Sequence, residues 1–123
     1  MIQEDKDLLL KDLCARLPYG VIIEYHNDGC SSTRELGFGS LHDFMFDNAE
    51  LKPYLRPMLS MTKEELREYN HLYAERENNN EFDDIKQYSD LINWLLENQF
   101  DFMGLIPKGL ALEAPENMYL KSK

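Results

Sequence analysis

The chain has 123 residues, of which 43% are hydrophobic, and it carries a formal net charge of -10 at pH 7. The length favours a single domain over residues 1–123, and the hydrophobic fraction argues against a disordered chain. The excess of acidic residues argues against direct nucleic-acid binding, because it would repel phosphate backbones, and it suits a partner with a basic surface. The alternative is that the acidic surface only keeps the protein in solution.

Charged residues follow Met1 closely, and no stretch approaches the roughly 18 apolar residues of a membrane span. We therefore expect a cytoplasmic protein that has no secretory signal and does not bind a membrane. Neither cysteine belongs to a disulfide framework or to a zinc pattern. Cys14 lies in an apolar helical stretch, where we expect it to be buried.

The first predicted element is a helix over residues 4–17. Four leucines fall on one stripe at helical spacing: Leu9, Leu10, Leu13 and Leu17. Pro18 ends the helix, because proline cannot continue it and disfavours helical geometry in the residue before. The β-branched and aromatic run over residues 19–25 then predicts a strand, and residues 27–29 predict a turn because their types tolerate positive φ.

Residues 34–47 are predicted to add one or two further strands. Apolar residues alternate there with the two-residue period of a strand: Leu36, Phe38, Phe44 and Phe46. Residues 51–55 predict a short edge strand, which is the place in a sheet where Pro53 is tolerated.

A stiff corner and two helices are predicted next. Pro53 and Pro57 favour extended geometry, so the chain should leave the sheet along a fixed path. Thr62 and Glu65 have the spacing of a capping box, which predicts a helix from Lys63 to about Glu77. A polar loop over 77–84 precedes a helix over 85–98 with the strongest apolar stripe of the chain: Tyr88, Leu91, Ile92, Leu95 and Leu96.

These patterns predict an α+β fold, because strand-like and helix-like periods occupy separate parts of the chain. The expected order is an N-terminal helix, a small antiparallel sheet of three or four strands, two helices in the C-terminal half and an irregular docked tail.

No constellation indicates catalysis, a metal or a cofactor. His26 and Cys30 flank the predicted turn, but a structural zinc site needs four ligands in paired spacing. The serines lack a nucleophile elbow, and residues 37–39 lack the glycine spacing and the lysine of a phosphate loop. We therefore expect a protein that is not an enzyme and that holds neither cofactor nor metal.

Protein binding is the remaining function class. Aromatic residues and arginine are enriched in binding hot spots, which makes these side chains candidates, with Arg56 and Trp94 as the anchors: Tyr54, Arg56, Trp94, Phe100 and Phe102. A second candidate is an acidic cluster on and beside the predicted polar loop: Glu75, Glu77, Glu81, Asp83 and Asp84. The alternative is that all of them are ordinary core, rim or solvated residues.

Three segments resemble a group of short proteins encoded by gut bacteria, their phages and their mobile elements: LLLKDLCARLPYGV (8–21), LKPYLRPMLSMTKEE (51–65) and FDFMGLIPKGLALEAPENMY (100–119). That group has no established activity. The resemblance implies a setting in which small acidic proteins often act by binding a host protein.

Together with the charge, this resemblance leads to the hypothesis of an inhibitor from a phage or mobile element. Such an inhibitor would occupy a basic nucleic-acid channel of a host defence complex, as an acidic mimic of the anti-CRISPR kind. The alternative is a structural or regulatory accessory protein that self-associates and has no nuclease target.

Overall fold

The computed structural model describes residues 2–75 and 81–119, with side chains for all of these except 74, 75, 81–85 and 87. The fold is α+β, as predicted. The helices are α1 (Gln3–Arg16), α2 (Phe38–Phe46), α3 (Lys63–Glu75) and α4 (Glu81–Glu97), and the strands are β1 (Ile22–Asn27), β2 (Cys30–Glu35), β3 (Glu50–Leu55) and β4 (Leu112–Glu113). Short 3₁₀ turns follow α1 at Leu17–Tyr19 and precede α3 at Met58–Ser60.

The sheet is mixed rather than antiparallel throughout. In the order β2-β1-β3-β4, β1 pairs antiparallel with β2 and with β3, whereas β4 pairs parallel with β3. The fourth strand comes from the tail, so β3 is an inner strand and the predicted edge strand is wrong. Pro53 is accommodated because it pairs with Ile23 on one side, while β4 pairs with Tyr54 and Leu55 only.

The largest departure from the prediction is α2, which replaces the strand expected after residue 35. Ser40, Leu41 and Phe44 lie on the buried side of this helix, while Phe46 is exposed. A strand would place Phe44 and Phe46 on the same face. The two-residue period of the apolar residues did not reflect burial. The buried residues occupy positions i, i+1 and i+4, which form one face of a helix that packs against the sheet.

The main core lies on one face of the sheet and includes the inner sides of α1 and α2. Its buried residues are Leu9, Leu13, Val21, Ile23, Tyr25, Leu36, Leu41, Phe44, Ala49, Leu51, Leu55, Leu105, Leu110 and Ala111. Cys14, in contrast to the prediction, is exposed. It follows Leu13 by one position, so the helix turns it by about 100° away from the core.

A second apolar cluster joins α3, α4 and the start of the tail. Leu91, Leu95 and Phe100 are buried there, although Tyr88, predicted on the same stripe, is half-exposed. Helix α4 spans Glu81–Glu97 and so includes residues 81–84, which the sequence prediction placed before the helix. None of the described helices combines the length and apolar character that crossing a membrane requires.

A buried polar network ties α1 to the end of α4. Arg16 is fully buried, and it donates from Nε to Asp12 Oδ2 at 2.9 Å, from Nη1 to Gln99 Oε1 at 3.4 Å and from Nη2 to the Phe100 carbonyl at 2.7 Å. Asp12 Oδ1 is buried and has no hydrogen-bond partner among the described residues. Burial raises the pKa of Asp12 and outweighs Arg16, which lowers it.

The predicted corner before α3 is held by one carboxylate. The capping box is confirmed, since the Glu65 amide donates to Thr62 Oγ1 at 3.1 Å and the Thr62 amide donates to Glu65 Oε1 at 3.0 Å. Arg56 donates to both oxygens of the same carboxylate, at 2.6 and 2.8 Å. Glu65 therefore fixes the start of the helix and the extended chain before it.

Candidate protein-binding site

Of the described aromatic side chains, the two most exposed lie on α2 and share its outward face. Phe38 is 81% exposed and Phe46 is 67% exposed, and Met45, 44% exposed, lies on the same stripe. The His42 ring stands 5.0 Å from the Phe46 ring, centroid to centroid. These residues occupy positions i, i+4, i+7 and i+8, which is one face of a helix. We call Phe38, His42, Met45 and Phe46 the α2 surface.

The α2 surface faces solvent because the opposite side of the helix is committed to the core. Phe44 is buried against the sheet, and the chain then turns back into β3 through Ala49, which is buried too. The turn is closed on one carbonyl, since the amides of Asp47 and Ala49 both donate to the Asp43 carbonyl, at 2.9 and 3.2 Å. Asn48 adopts a positive φ of 59° at this point.

Two carboxylates border the α2 surface at the C-terminal end of the helix. His42 Nδ1 lies 3.8 Å from Asp43 Oδ1 and 4.0 Å from Asp47 Oδ2. The Tyr25 hydroxyl donates to Asp43 Oδ2 at 2.7 Å and so orients that carboxylate. This hydrogen bond to a carboxylate raises the pKa of Tyr25. Because the negative end of the helix dipole adds to both charges, this edge attracts cations.

The same edge contains a group of side chains that could hold a metal ion. One ligand atom from each of His42, Asp43 and Asp47 lies within 4.8 Å of the other two. His42 and Asp47 are open to solvent, and Asp43 is half-buried. An exposed set of this kind suits a lysine or arginine side chain of a partner as well as it suits a metal ion.

A polar groove adjoins the carboxylate edge. The β1–β2 turn forms one wall and the α2–β3 connection forms the other, and the lining residues are His26, Asn27, Asp28, Gly29, Cys30, Ser31, Asp47, Asn48 and Glu50. The predicted turn is confirmed, since Asp28 and Gly29 have φ values of 50° and 81°. Three of the lining residues are acidic, so the groove extends the negative edge away from α2.

The two anchors that the sequence predicted, Arg56 and Trp94, meet the same buried ring. Arg56 Cζ lies 4.2 Å from the centre of the Phe100 ring, and the Trp94 ring stacks on Phe100 at 5.6 Å. Both polar groups have partners, because Arg56 pairs with Glu65 and the Trp94 indole N–H donates to Glu68 at 2.8 Å. Phe100 itself is fully buried, so it belongs to the core and not to a binding surface.

The other two aromatic candidates, Tyr54 and Phe102, are both half-buried. Tyr54 is half-buried, and its hydroxyl donates to Glu24 Oε2 at 2.7 Å. Phe102 is half-buried as well, with its ring centre 5.5 Å from Arg16 Cζ. Both side chains therefore contribute to contacts within the chain.

The predicted acidic cluster lies largely outside the described side chains. Glu77 falls among residues 76–80, outside the described residues, and the side chains of Glu75, Glu81, Asp83 and Asp84 are not described. The backbone places Glu75 at the end of α3 and the other three in the first turn of α4. Residues 81–84 of the predicted loop therefore belong to α4, residues 77–80 lie outside the described residues, and the binding role of the cluster stays a prediction.

The sequence patterns do not predict the α2 surface, because a strand over residues 34–47 has no such face. A usable signal was present: the spacing of Phe38, His42, Met45 and Phe46 is helical, and strand alternation does not account for His42 or Met45. The exposure of these side chains, by contrast, follows from which side of α2 packs on the sheet.

The chain was compared with known proteins at three levels. No protein-family model, no curated protein and no solved structure gives a significant match. The features of this chain that bear on its function are therefore the α2 surface, its carboxylate edge and the adjoining groove.

Proposed function

We propose that this protein acts by binding another protein through the α2 surface, and that the partner presents an apolar pocket with basic residues at its rim. The observation that carries the proposal is the aromatic face of α2, which lies in solvent although the described residues form two apolar clusters in which aromatic rings are buried. A contiguous exposed apolar patch marks an interaction site more often than scattered apolar residues do.

The composition of the surface supports protein binding in particular. Aromatic residues and methionine are enriched in the centres of protein interfaces, and polar residues form the rim. Phe38 and Phe46 would form the centre, and Asp43 and Asp47 would form one side of the rim. Full burial of each phenylalanine contributes about 1.5–3 kcal/mol, so the two rings together account for slow dissociation.

The carboxylates would have a different role. The net charge of -10 accelerates the encounter with a basic partner and makes it depend on salt. Asp43 and Asp47 would then meet lysine or arginine side chains beside the apolar pocket. This division predicts that replacing the acidic residues changes the association rate and that replacing the aromatic residues changes the dissociation rate.

We propose further that the partner is a nucleic-acid-dependent defence complex of a host cell, and that its basic channel receives this protein. The acidic charge, the carboxylate edge and the resemblance to proteins of phages and mobile elements support this specific form. In such a channel the apolar residues of α2 would add contacts that nucleic acid does not make. Competition with nucleic acid is therefore the expected mode of action.

The first experiment compares three immobilised proteins in host lysate: the native chain, Phe38→Ser/Phe46→Ser, and Leu59→Ser as a matched control. Leu59 is 100% exposed and lies on a 3₁₀ turn outside the α2 surface. The native chain and the control should retain the same protein, and the double variant should lose it. Retention of the same proteins by all three would contradict a binding role for α2.

The second experiment measures binding to the retained protein by surface plasmon resonance at ~0.05 and ~0.5 M salt. Asp43→Asn/Asp47→Asn should slow association at low salt and leave dissociation nearly unchanged. Phe46→Ser should accelerate dissociation. If added nucleic acid does not compete for the retained protein, the channel-blocking form is wrong while the α2 binding role stands.

A further inference from the structure

Strand β2 forms an open edge of the sheet. It pairs with β1 on one side, and no backbone hydrogen bond of the described residues reaches its other side. Five of its six residues are exposed, and Ser32 is half-buried. Edge strands are usually protected from pairing with another chain by proline, charged side chains, above all lysine, a bulge or a covering segment. The residues of β2 are CSSTRE, with no proline and no lysine, and its two charged residues, Arg34 and Glu35, are of opposite sign and lie at one end. All six residues pair in continuous register with β1.

The backbone groups that β2 offers outward can be identified. The Leu36 amide donates to the Val21 carbonyl at 2.9 Å, so residue 36 points its backbone toward β1. Along a strand, the backbone amide and carbonyl groups of successive residues point alternately to one side and to the other. The backbone groups of residues 34, 32 and 30 therefore also point toward β1. The amides and carbonyls of Ser31, Thr33 and Glu35 therefore point away from the sheet and are free to pair.

We propose that this edge binds a second copy of the same chain, antiparallel, with Thr33 of each copy on the two-fold axis. The side chains of two residues that face each other across an antiparallel pair lie on the same face of the sheet. In a pair of identical strands related by a two-fold axis, odd-numbered residues must therefore face odd-numbered ones. Centring on Thr33 places Ser31 opposite Glu35 of the other copy. All three outward-pointing residues of each strand then form ladder hydrogen bonds.

Charge favours a second copy over a basic or acidic peptide at this edge. The chain has a net charge of -10, but Arg34 and Glu35 cancel within β2, and the other four residues of the strand carry no formal charge. Strand β2 therefore adds no net charge of its own to a contact between two acidic chains. In the proposed register Ser32 faces Arg34 and Ser31 faces Glu35, so no like charges stand opposite one another.

This pairing uses no residue of the α2 surface, although Cys30 and Ser31 of β2 also line the polar groove. It goes beyond the proposed function and does not depend on the binding role of α2. A dimer would present two α2 surfaces on one particle. Binding to a partner with repeated sites would then gain avidity without any new contact.

Disulfide cross-linking tests the register. In a Cys14→Ser/Cys30→Ser background, which removes both exposed cysteines, Thr33→Cys is compared with Ser31→Cys. The two copies of residue 33 would lie about 5.5 Å apart between Cα atoms, within the usual disulfide range of roughly 4.4–6.8 Å. The two copies of residue 31 would lie about 14 Å apart. Under mild oxidation the first variant should form a covalent dimer and the second should stay monomeric; equal cross-linking of both, or none of the first, overturns the proposal.

Sedimentation velocity up to ~0.5 mM tests the assembly without cysteine chemistry. The native mass should rise from 14.5 kDa toward twice that value. Thr33→Pro removes an outward amide that β1 does not use, so it should give a folded monomer by circular dichroism, whereas Thr33→Ala should still dimerise. A native chain that stays monomeric, or a Thr33→Pro variant that is folded and still dimeric, overturns the proposal.

Discussion

Replacing Arg16 with methionine probes the buried network that ties α1 to the end of α4. Methionine keeps the helix propensity and much of the length of arginine, so the main change is the loss of three hydrogen bonds. The Asp12 carboxyl stays behind in the core. Its Oδ1 already has no partner among the described residues, and the substitution removes the partner of Oδ2 as well.

Removal of one partner from a buried ion pair destabilises a fold by about 3–5 kcal/mol, and we expect Arg16→Met to fall in this range near neutral pH. The double variant Asp12→Leu/Arg16→Met removes the orphaned carboxyl too. It should be more stable than the single variant and lose about 1–3 kcal/mol, because the Phe100 carbonyl stays unbonded.

Burial raises the pKa of Asp12 above its usual value, and the loss of Arg16 removes the group that lowers it. The folded form of the variant therefore binds a proton at a higher pH than its unfolded form does. As the pH falls through the pKa of the folded variant, the difference in stability from the native chain should shrink.

Urea denaturation followed by circular dichroism and by Trp94 fluorescence measures these differences. Equal m-values are needed for the comparison, since they show that the unfolded states expose similar surface. A double variant that is no more stable than Arg16→Met would contradict the role of the buried pair, and so would a cost of Arg16→Met that is the same at mildly acidic and neutral pH.

Three further predictions concern the described contacts. Leu95→Ala should cost about 2–5 kcal/mol and Thr62→Ala about 1 kcal/mol in denaturant melts; the reverse ranking would contradict the assignment of core and cap. Arg56 holds the pKa of Glu65 below its usual value. This pair therefore stabilises the fold at a pH above the usual pKa of a glutamate, and the stabilisation is lost as the pH falls through the lowered pKa. Glu65→Gln should therefore flatten that part of the acid-denaturation curve, and an unchanged curve would count against the pair. Burial raises the pKa of Tyr119 from 10.0 to about 12, so stability should fall between these two values as the pH rises. Tyr119→Phe should weaken this alkaline dependence, and the raised pKa values of Tyr25 and Tyr54 account for the part that stays.

The predictions that held are those in which neighbouring residues determine the structure. The 27–29 turn follows from residue types that accept positive φ, and Asp28 and Gly29 adopt it. The capping box follows from side chains three positions apart, and Thr62 and Glu65 form it. The stripe of α1 likewise places Leu9 and Leu13 in the core.

The predictions that failed concern residues whose environment comes from distant parts of the chain. A period-two pattern over a few residues does not distinguish a strand from a short helix. Packing of Phe44 on the sheet favours the helix α2. Leu112 and Glu113 in the tail pair with β3, from which they are separated by more than 50 residues of sequence. A local sequence pattern does not predict a pairing over such a distance.

The class of the fold, the turns, the helix cap and the acidic balance follow from the sequence, because each depends on composition or on residues a few positions apart. The buried side of α2 and the open edge of the sheet depend instead on packing between distant parts of the chain. The candidate sites depend on those two outcomes, since Phe38 and Phe46 can contact a partner only when α2 turns them outward. Thr33 is likewise available for pairing only because β3 and β4 extend the sheet on the other side of β1.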